Sequence, residues 1–394
     1  MQSTKSWLEI SEERLRRNYD TLVRLCIAED RSASVLAVVK ARAYGHGAGL
    51  CAQVLASAGA SWLGVTDAQE GALVRRSLDR THDSREVQPR VLVMCAPLPE
   101  DAAMIVANQL TPVVWSGHHL DWFSHASTAG ASIPIHLEID TGMSRQGVQP
   151  GTALDLLLDR LSKTPQLRLE GVLTHFASAE ISGSSLTALQ RQRFETALTQ
   201  VGDRGLRPEW IHIGNSSVID EANSLPWLQQ IASRYGARSL VRSGLALYGY
   251  CLPLENASSA LRDLLAPVLS WKSRIVDLHD LPPGATIGYN GAFMAPAAMR
   301  LALLPVGYAD GLRRELSASN AQPGGWCMLH GRRAPIIGRV SMNLTTIDVT
   351  SIPHASFGDE VTLLGDGITA EDHAGIAHTI PYEILCGLRA EPSS

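Results

Sequence analysis

From the N-terminus to Arg242, short apolar runs alternate with stretches whose apolar residues recur at helical spacing. Ser34–Val39 (SVLAVV) reads as a strand and Leu50–Ala60 as the helix after it. Trp62–Val65 (WLGV) precedes a helical Asp67–Leu78, and Arg90–Met94 (RVLVM) precedes Glu100–Asn108. Thr111–Trp115, Pro134–Ile139, Leu169–Thr174, Trp210–Ile213 and Ser239–Arg242 continue the series. Repeated strand–helix units imply parallel strands joined by right-handed crossovers. A doubly wound sheet and a closed (β/α)8 barrel both satisfy this pattern. Eight units in the first 242 residues favour the barrel, which typically takes about 250 residues.

The texture changes after Tyr250. Gly and Pro punctuate short alternating runs at Val268–Asp277, Arg300–Pro305, Trp326–Leu329, Ala334–Val340, Leu344–Val349 and Glu360–Leu364, and helical spacing nearly vanishes. The expectation is α/β overall: a TIM-type barrel over residues 1–250 and an all-β domain over 251–394. The joint is placed near Leu252–Ser258.

Composition narrows this picture little. At roughly 100–200 residues per domain, 394 residues suit two domains. A hydrophobic fraction of 45% with 19% charged residues is that of an ordinary globular enzyme. A net charge of −5 gives no basic surface for nucleic acid. Six cysteines without a C-x-x-C pair read as reduced thiols, not as a disulfide framework or a zinc site. The N-terminus lacks the apolar core of a signal peptide, and no run reaches the ~18–20 apolar residues of a membrane span. A cytoplasmic protein without membrane or nucleic-acid partners is expected.

The candidate chemistry begins at Lys40, which directly follows the first barrel run. Barrel enzymes place catalytic groups at the C-terminal ends of their strands. A lysine there can lose its proton and attack a carbonyl to form a Schiff base; it can equally be a solvated strand end. The string AVVKARAYGHG around it resembles the cofactor-lysine motif of the alanine racemases, with Arg42 where that motif has Asn. The resemblance implies that Lys40 carries pyridoxal 5'-phosphate as an internal aldimine and that Tyr44 binds the phosphate.

Further matches follow in family order. His136–Gly147 (HLEIDTGMSRQG) implies that Arg145 approaches the cofactor and the substrate carboxylate. Where family members carry a carbamylated lysine, this chain has Glu138, and a charge-assisted Glu138–Arg145 pair is expected in its place. THFAS assigns His175 as a relay partner of an arginine. HIGNS brings in His212 behind the site, with Asn215 and Ser216 on the cofactor. VRSGLALYGY implies that Arg242 faces the pyridine nitrogen and that the Gly244 and Leu245 amides cradle phosphate. An arginine stays protonated, so it would keep that nitrogen unprotonated and favour return of a proton to Cα over transamination.

Racemisation needs a second base on the opposite face. GYNG in the β region resembles the catalytic tyrosine motif and assigns Tyr289, whose ordinary pKa near 10 requires positive neighbours. In the family this tyrosine enters the partner's site, so a homodimer with shared sites is implied. GYADG assigns Tyr308, and GRVSMN assigns Met342 to the substrate carboxylate through its amide. PYE assigns Tyr382 to the phosphate. Asn343 stands where an aspartate is usual, which widens the possible substrate range. The implied activity is alanine racemase, supplying D-alanine for peptidoglycan. A serine or broad-specificity racemase is the alternative within the class, and a non-catalytic pyridoxal-phosphate carrier the alternative outside it. No metal ligand set is expected.

Overall fold

The computed structural model describes residues 5–27, 32–80, 88–95, 97–127, 132–221 and 223–390. The chain opens with strand β1 (Ser6–Ile10). Strands β2 (Ala33–Val38), β3 (Trp62–Val65), β4 (Arg90–Val93), β5 (Thr111–Val114), β6 (Ile133–Glu138), β7 (Leu167–Leu173), β8 (Trp210–Ile213) and β9 (Arg238–Ser243) follow. Strands β2 to β9 pair in parallel in chain order, and β9 closes on β2. All four residues of β3, β5 and β8 are buried, because strands covered on both faces read as continuous apolar runs. The eight expected strands are thus present, with ends moved by one or two residues. One register irregularity falls between β6 and β7. Ile135 pairs with Leu169 and His136 with Gly171, so Glu170 is left as a bulged residue.

The chain divides into two compact units. One holds Glu13–Ala43 and Ala48–Ala266, with the barrel; the other holds Met1–Glu12, Tyr44–Gly47 and Pro267–Ser394. The division falls at Ala266/Pro267, beyond the expected Tyr250, and β1 joins the C-terminal unit. There β1 pairs antiparallel with β10 (Leu269–Arg274). The remaining strands are β11 (Asp277–Leu281), β12 (Thr286–Ile287), β13 (Phe293–Met294), β14 (Met299–Leu304), β15 (Trp326–Leu329), β16 (Arg332–Pro335), β17 (Thr345–Asp348) and β18 (Glu360–Leu364). They form a sheet ordered β1-β10-β18-β15-β16, a second ordered β11-β14-β17, and the β12–β13 hairpin. A core of Ile287, Ala295, Met299, Leu301 and Ile337 lies beneath the hairpin. This unit is not wholly β: helices Ala370–Ala377 and Pro381–Cys386 end it. Both are too short to show in apolar periodicity. The six cysteines are free thiols. No helix among the described residues is long and apolar enough to cross a membrane.

One buried polar residue fixes the turn that leaves β9. Asn18, on the helix Glu12–Ile27, donates from Nδ2 to the carbonyls of Leu247 (3.0 Å) and Ala266 (2.9 Å) and accepts from the Ala266 amide (3.1 Å). Asn18→Leu strands those groups away from water, where each costs roughly 1–3 kcal/mol. Urea unfolding is expected to register a loss of about 3 kcal/mol; an unchanged midpoint contradicts the role.

Candidate active site

The residues singled out in the barrel converge on the C-terminal edge of its strands. Lys40 follows β2, Glu138 ends β6, His175 follows β7, Asn215 and Ser216 follow β8, and Arg242 lies in β9 just before Gly244. The field at His175 fits that clustering. Burial is the chief reason its pKa is brought down to about 3, and the positive charges of Arg242, Arg145 and Lys40 add to it.

Lys40 is held by an unusual backbone. Ala41, Arg42 and Ala43 all lie in the left-handed region (φ 52°, 57° and 55°), and Tyr44 continues it at φ 53°. A left-handed turn of non-glycine residues costs roughly 1–2 kcal/mol per residue. Its bonds offset part of that. The Ala43 amide donates to the Val39 carbonyl at 2.8 Å. The Arg42 amide donates to one carboxylate oxygen of Glu70 at 2.9 Å, and the Thr66 amide to the other at 2.8 Å. Asp67 caps the helix Ala68–Asp79 that carries Glu70. The Arg42 side chain stands at an exposed position.

Arg242 is buried (5% exposed). Its Nη2 donates to the Thr174 carbonyl (2.8 Å) and to Nδ1 of His175 (3.2 Å), and its Nη1 to Nδ1 of His212 (3.2 Å). Burial brings its pKa down to about 10, with Glu138 opposing that fall, so the guanidinium stays charged at neutral pH. Burial, then His136 and Arg242, hold His212 well below the usual histidine range. Both histidines therefore act as neutral acceptors toward the arginine.

Donors suited to a phosphate gather beside it. Ser216 Oγ lies 3.1 Å from Ser243 Oγ and accepts from the amides of Gly244 (3.3 Å) and Ala246 (3.2 Å). The Leu245 amide opens the 3₁₀ turn Leu245–Tyr248 and has no carbonyl of that turn behind it. Next to these donors, the Asn215 Oδ1 is a buried acceptor without a partner, suited to a donor and not to the phosphate. Gly214, at φ +90°, has no room for a Cβ, which would meet Val218 at 2.6 Å. A primary amine, a guanidinium and this hydroxyl–amide set fit the aldehyde, ring nitrogen and phosphate of pyridoxal 5'-phosphate.

The expected Glu138–Arg145 pair is not what the structure holds. Glu138 accepts from Nε2 of Gln146, which also donates to the Met94 carbonyl. Arg145 stands at an exposed position and reaches the carboxylate only through its field. Loop geometry explains the exchange. Oδ1 of Asp140 accepts the amides of Gly142 and Ser144, and Gly147 turns back at φ +109°, where a Cβ would lie 2.6 Å from the Asp140 amide. The curled loop directs Gln146 inward. Burial raises the Glu138 pKa, against the pull of Arg242, Gln146 and Arg145.

The C-terminal unit brings its own motifs together. The Tyr308 and Ala309 amides donate to the carbonyls of Ser341 and Met342. A Cβ on Gly307 would lie 2.1 Å from the Ser341 oxygen, so only glycine permits that approach. A Cβ on Gly288 would sit 2.9 Å from the Arg339 amide, which ties the Tyr289 turn to the same strip. Tyr289 (68%), Met342 (56%) and Tyr308 (44%) are exposed. Asn343 donates to Asp310 at 3.4 Å. The rings of Tyr44 and Tyr382 lie 5.8 Å apart.

Sequence reasoning missed Glu70, whose place in a first helical turn looks like ordinary capping. It also passed over Glu170, an acid inside an apolar run. Glu70→Ala removes two amide bonds to a charged group, at about 1.5–3 kcal/mol each. Titration by absorbance should show pyridoxal 5'-phosphate bound about tenfold more weakly, a loss of 1.4 kcal/mol; unchanged affinity contradicts the clamp. A pH effect follows from the barrel histidines. His136, His175 and His212 all titrate below the 6.5 of an exposed imidazole. Below pH 6.5 the unfolded chain takes up protons that the folded one refuses, so their contribution is intact above 6.5 and lost on acidification. Each can remove up to about 1.4 kcal/mol per pH unit. Urea midpoints should fall steadily from pH 6.5 to 5, and a flat profile contradicts burial in the neutral form.

Comparison with known proteins agrees with this geometry. Residues 10–252 match the family model of the alanine racemase N-terminal domain, and residues 268–393 that of the alanine racemase C-terminal domain. The alanine racemase of Syntrophobacter fumaroxidans is 37% identical over 392 residues, covering 97% of this chain and 95% of that protein. The alanine racemase of Symbiobacterium thermophilum is 33% identical, covering 97% and 94%. The solved alanine racemase of Streptomyces coelicolor A3(2) superposes with a TM-score of 0.86 at 31% identity, covering 98% and 97%. The chain belongs to the alanine racemase family of pyridoxal-phosphate-dependent isomerases.

Proposed function

We propose that this chain interconverts L-alanine and D-alanine with Lys40 and Tyr289 as bases on opposite faces of the substrate, supplying D-alanine for peptidoglycan from the cytoplasm. One observation supports this reading above the others: Lys40, Arg242, His175, Ser216 and Gly244 all stand at the C-terminal edge of one barrel. Lys40 would tether pyridoxal 5'-phosphate. Ser216, Gly244 and Leu245 would hold its phosphate, Asn215 would contact the cofactor, and Arg242 and Arg145 would face its ring; the family resemblance adds Tyr44 and Tyr382 as phosphate ligands. When bound, the cofactor supplies an electron-withdrawing system that acidifies the α C–H of the amino acid.

The chain's own residues do the rest. Lys40 Nζ takes or returns the α proton on one face, and the Tyr289 hydroxyl does so on the other. Arg242 remains a donor throughout, because burial does not bring it near neutrality. Met342 and Arg145 receive the substrate carboxylate, and Tyr308 borders the same strip. The exposure of Tyr289, Tyr308 and Met342 supports a homodimer in which these residues complete the partner's site. Asn343, paired with Asp310, is the position to test if serine or larger amino acids also turn over.

Lys40→Ala is expected to lose both the visible cofactor absorbance and racemisation. Tyr289→Phe should keep the absorbance and lose about 10²–10⁴-fold in kcat, the usual worth of a positioned acid–base group. Mixed dimers of the two variants contain one intact site, so mixing after partial unfolding should restore activity. Failure to restore it in demonstrated mixed dimers contradicts the shared site.

A further inference from the structure

Arg242 is the upper end of a buried chain of groups that crosses the barrel interior. His212 Nδ1 accepts from Arg242 at 3.2 Å. His212 Nε2 lies 2.8 Å from His136 Nδ1, and His136 Nε2 lies 3.5 Å from Oε2 of Glu170. His136, His212 and Glu170 have no solvent exposure. Arg90 and Arg168 close the lower end on the same carboxylate.

The proton positions along this chain follow from its ends. An arginine only donates, so His212 Nδ1 must accept, and a neutral His212 carries its proton on Nε2. His136 Nδ1 must then accept, and the His136 proton faces Glu170. The reverse direction would leave His212 without a proton on either nitrogen. Burial would raise the Glu170 carboxyl, but the His136 ring 3.5 Å away and the bond from Arg90 hold it down to about 2, so the lower end stays an acceptor facing a His136 Nε2 that has no other partner.

The backbone is shaped for this arrangement. Glu170 is the bulged residue between Leu169 and Gly171, and bulges re-aim a side chain. A Cβ on Gly171 would meet the His136 ring at 2.6 Å, so glycine there makes room for the imidazole. Trp62 also packs against His136, with ring centroids 5.1 Å apart.

We propose that Glu170 and His136 are positioning residues for the reaction: through His212 they fix Arg242 as a hydrogen-bond donor of one orientation. The wire spends one Nη1 proton, while Thr174 and His175 take Nη2, so the remaining donors keep one direction. Other charges near it are Glu138 and Arg145.

The kinetic consequence rests on the racemase reading; the proton positions do not. In holoenzyme labelled with ¹⁵N-histidine, long-range ¹H–¹⁵N correlation is expected to show His136 and His212 neutral and protonated on Nε2 from pH 6.5 to 8. His136→Gln and His212→Gln assign the signals. Either ring protonated on Nδ1 overturns the proposal. Glu170→Gln keeps an oxygen toward His136 and should hold kcat within about threefold, whereas Glu170→Leu should lower kcat about tenfold at unchanged KM, as loss of an outer partner does. Wild-type kcat in the leucine variant overturns the proposal as well. Should that variant not fold, the wild-type tautomers decide alone. A holoenzyme that racemises nothing but shows the expected tautomers refutes the racemase reading and supports the wire.

Discussion

The arrangement depends on a charged guanidinium buried inside a barrel. An unpaired charge there would cost far more than the fold's net stability. Arg242 is tolerated because a carbonyl and two imidazole nitrogens accept from it, with Glu138 nearby. Those acceptors must stay neutral, and their burial keeps them so. The strands that supply them, β7, β8 and β9, are thereby fixed in register by chemistry as well as by packing.

A second constraint acts at Lys40. A strained left-handed turn sets the lysine's direction, and a carboxylate from the next helix holds that turn. Such strain persists only where surrounding contacts over-determine it. Here the Glu70 carboxylate, 28 residues from Arg42, supplies part of that determination, together with the Ala43–Val39 bond.

The barrel was readable because each of its strands is a short apolar run between helical patterns, as parallel strands buried on both faces must be. The C-terminal unit was readable less fully. Alternation revealed its strands, but the six- and eight-residue helices at its end are shorter than apolar periodicity can register. Lys40, Arg242 and Tyr289 stood out through their local strings. Gln146 replaced Arg145 at Glu138 because the loop's curl, set by Asp140 and Gly147, decides which side chain points inward, and no spacing rule encodes that. Glu70 and Glu170 were hidden for the same reason: the partners that give them their roles, Arg42 and His136, lie 28 and 34 residues away, and only the closed barrel brings them together.

The proposed reaction is proton exchange by two bases at Cα. Holoenzyme incubated in D2O with L-alanine, and separately with D-alanine, tests it by mass and chiral analysis at low conversion. The account predicts that the product enantiomer carries deuterium at Cα while the recovered substrate carries markedly less, from either starting enantiomer. Product formed with its original protium, or deuterium appearing equally in substrate and product from the first turnovers, would contradict it.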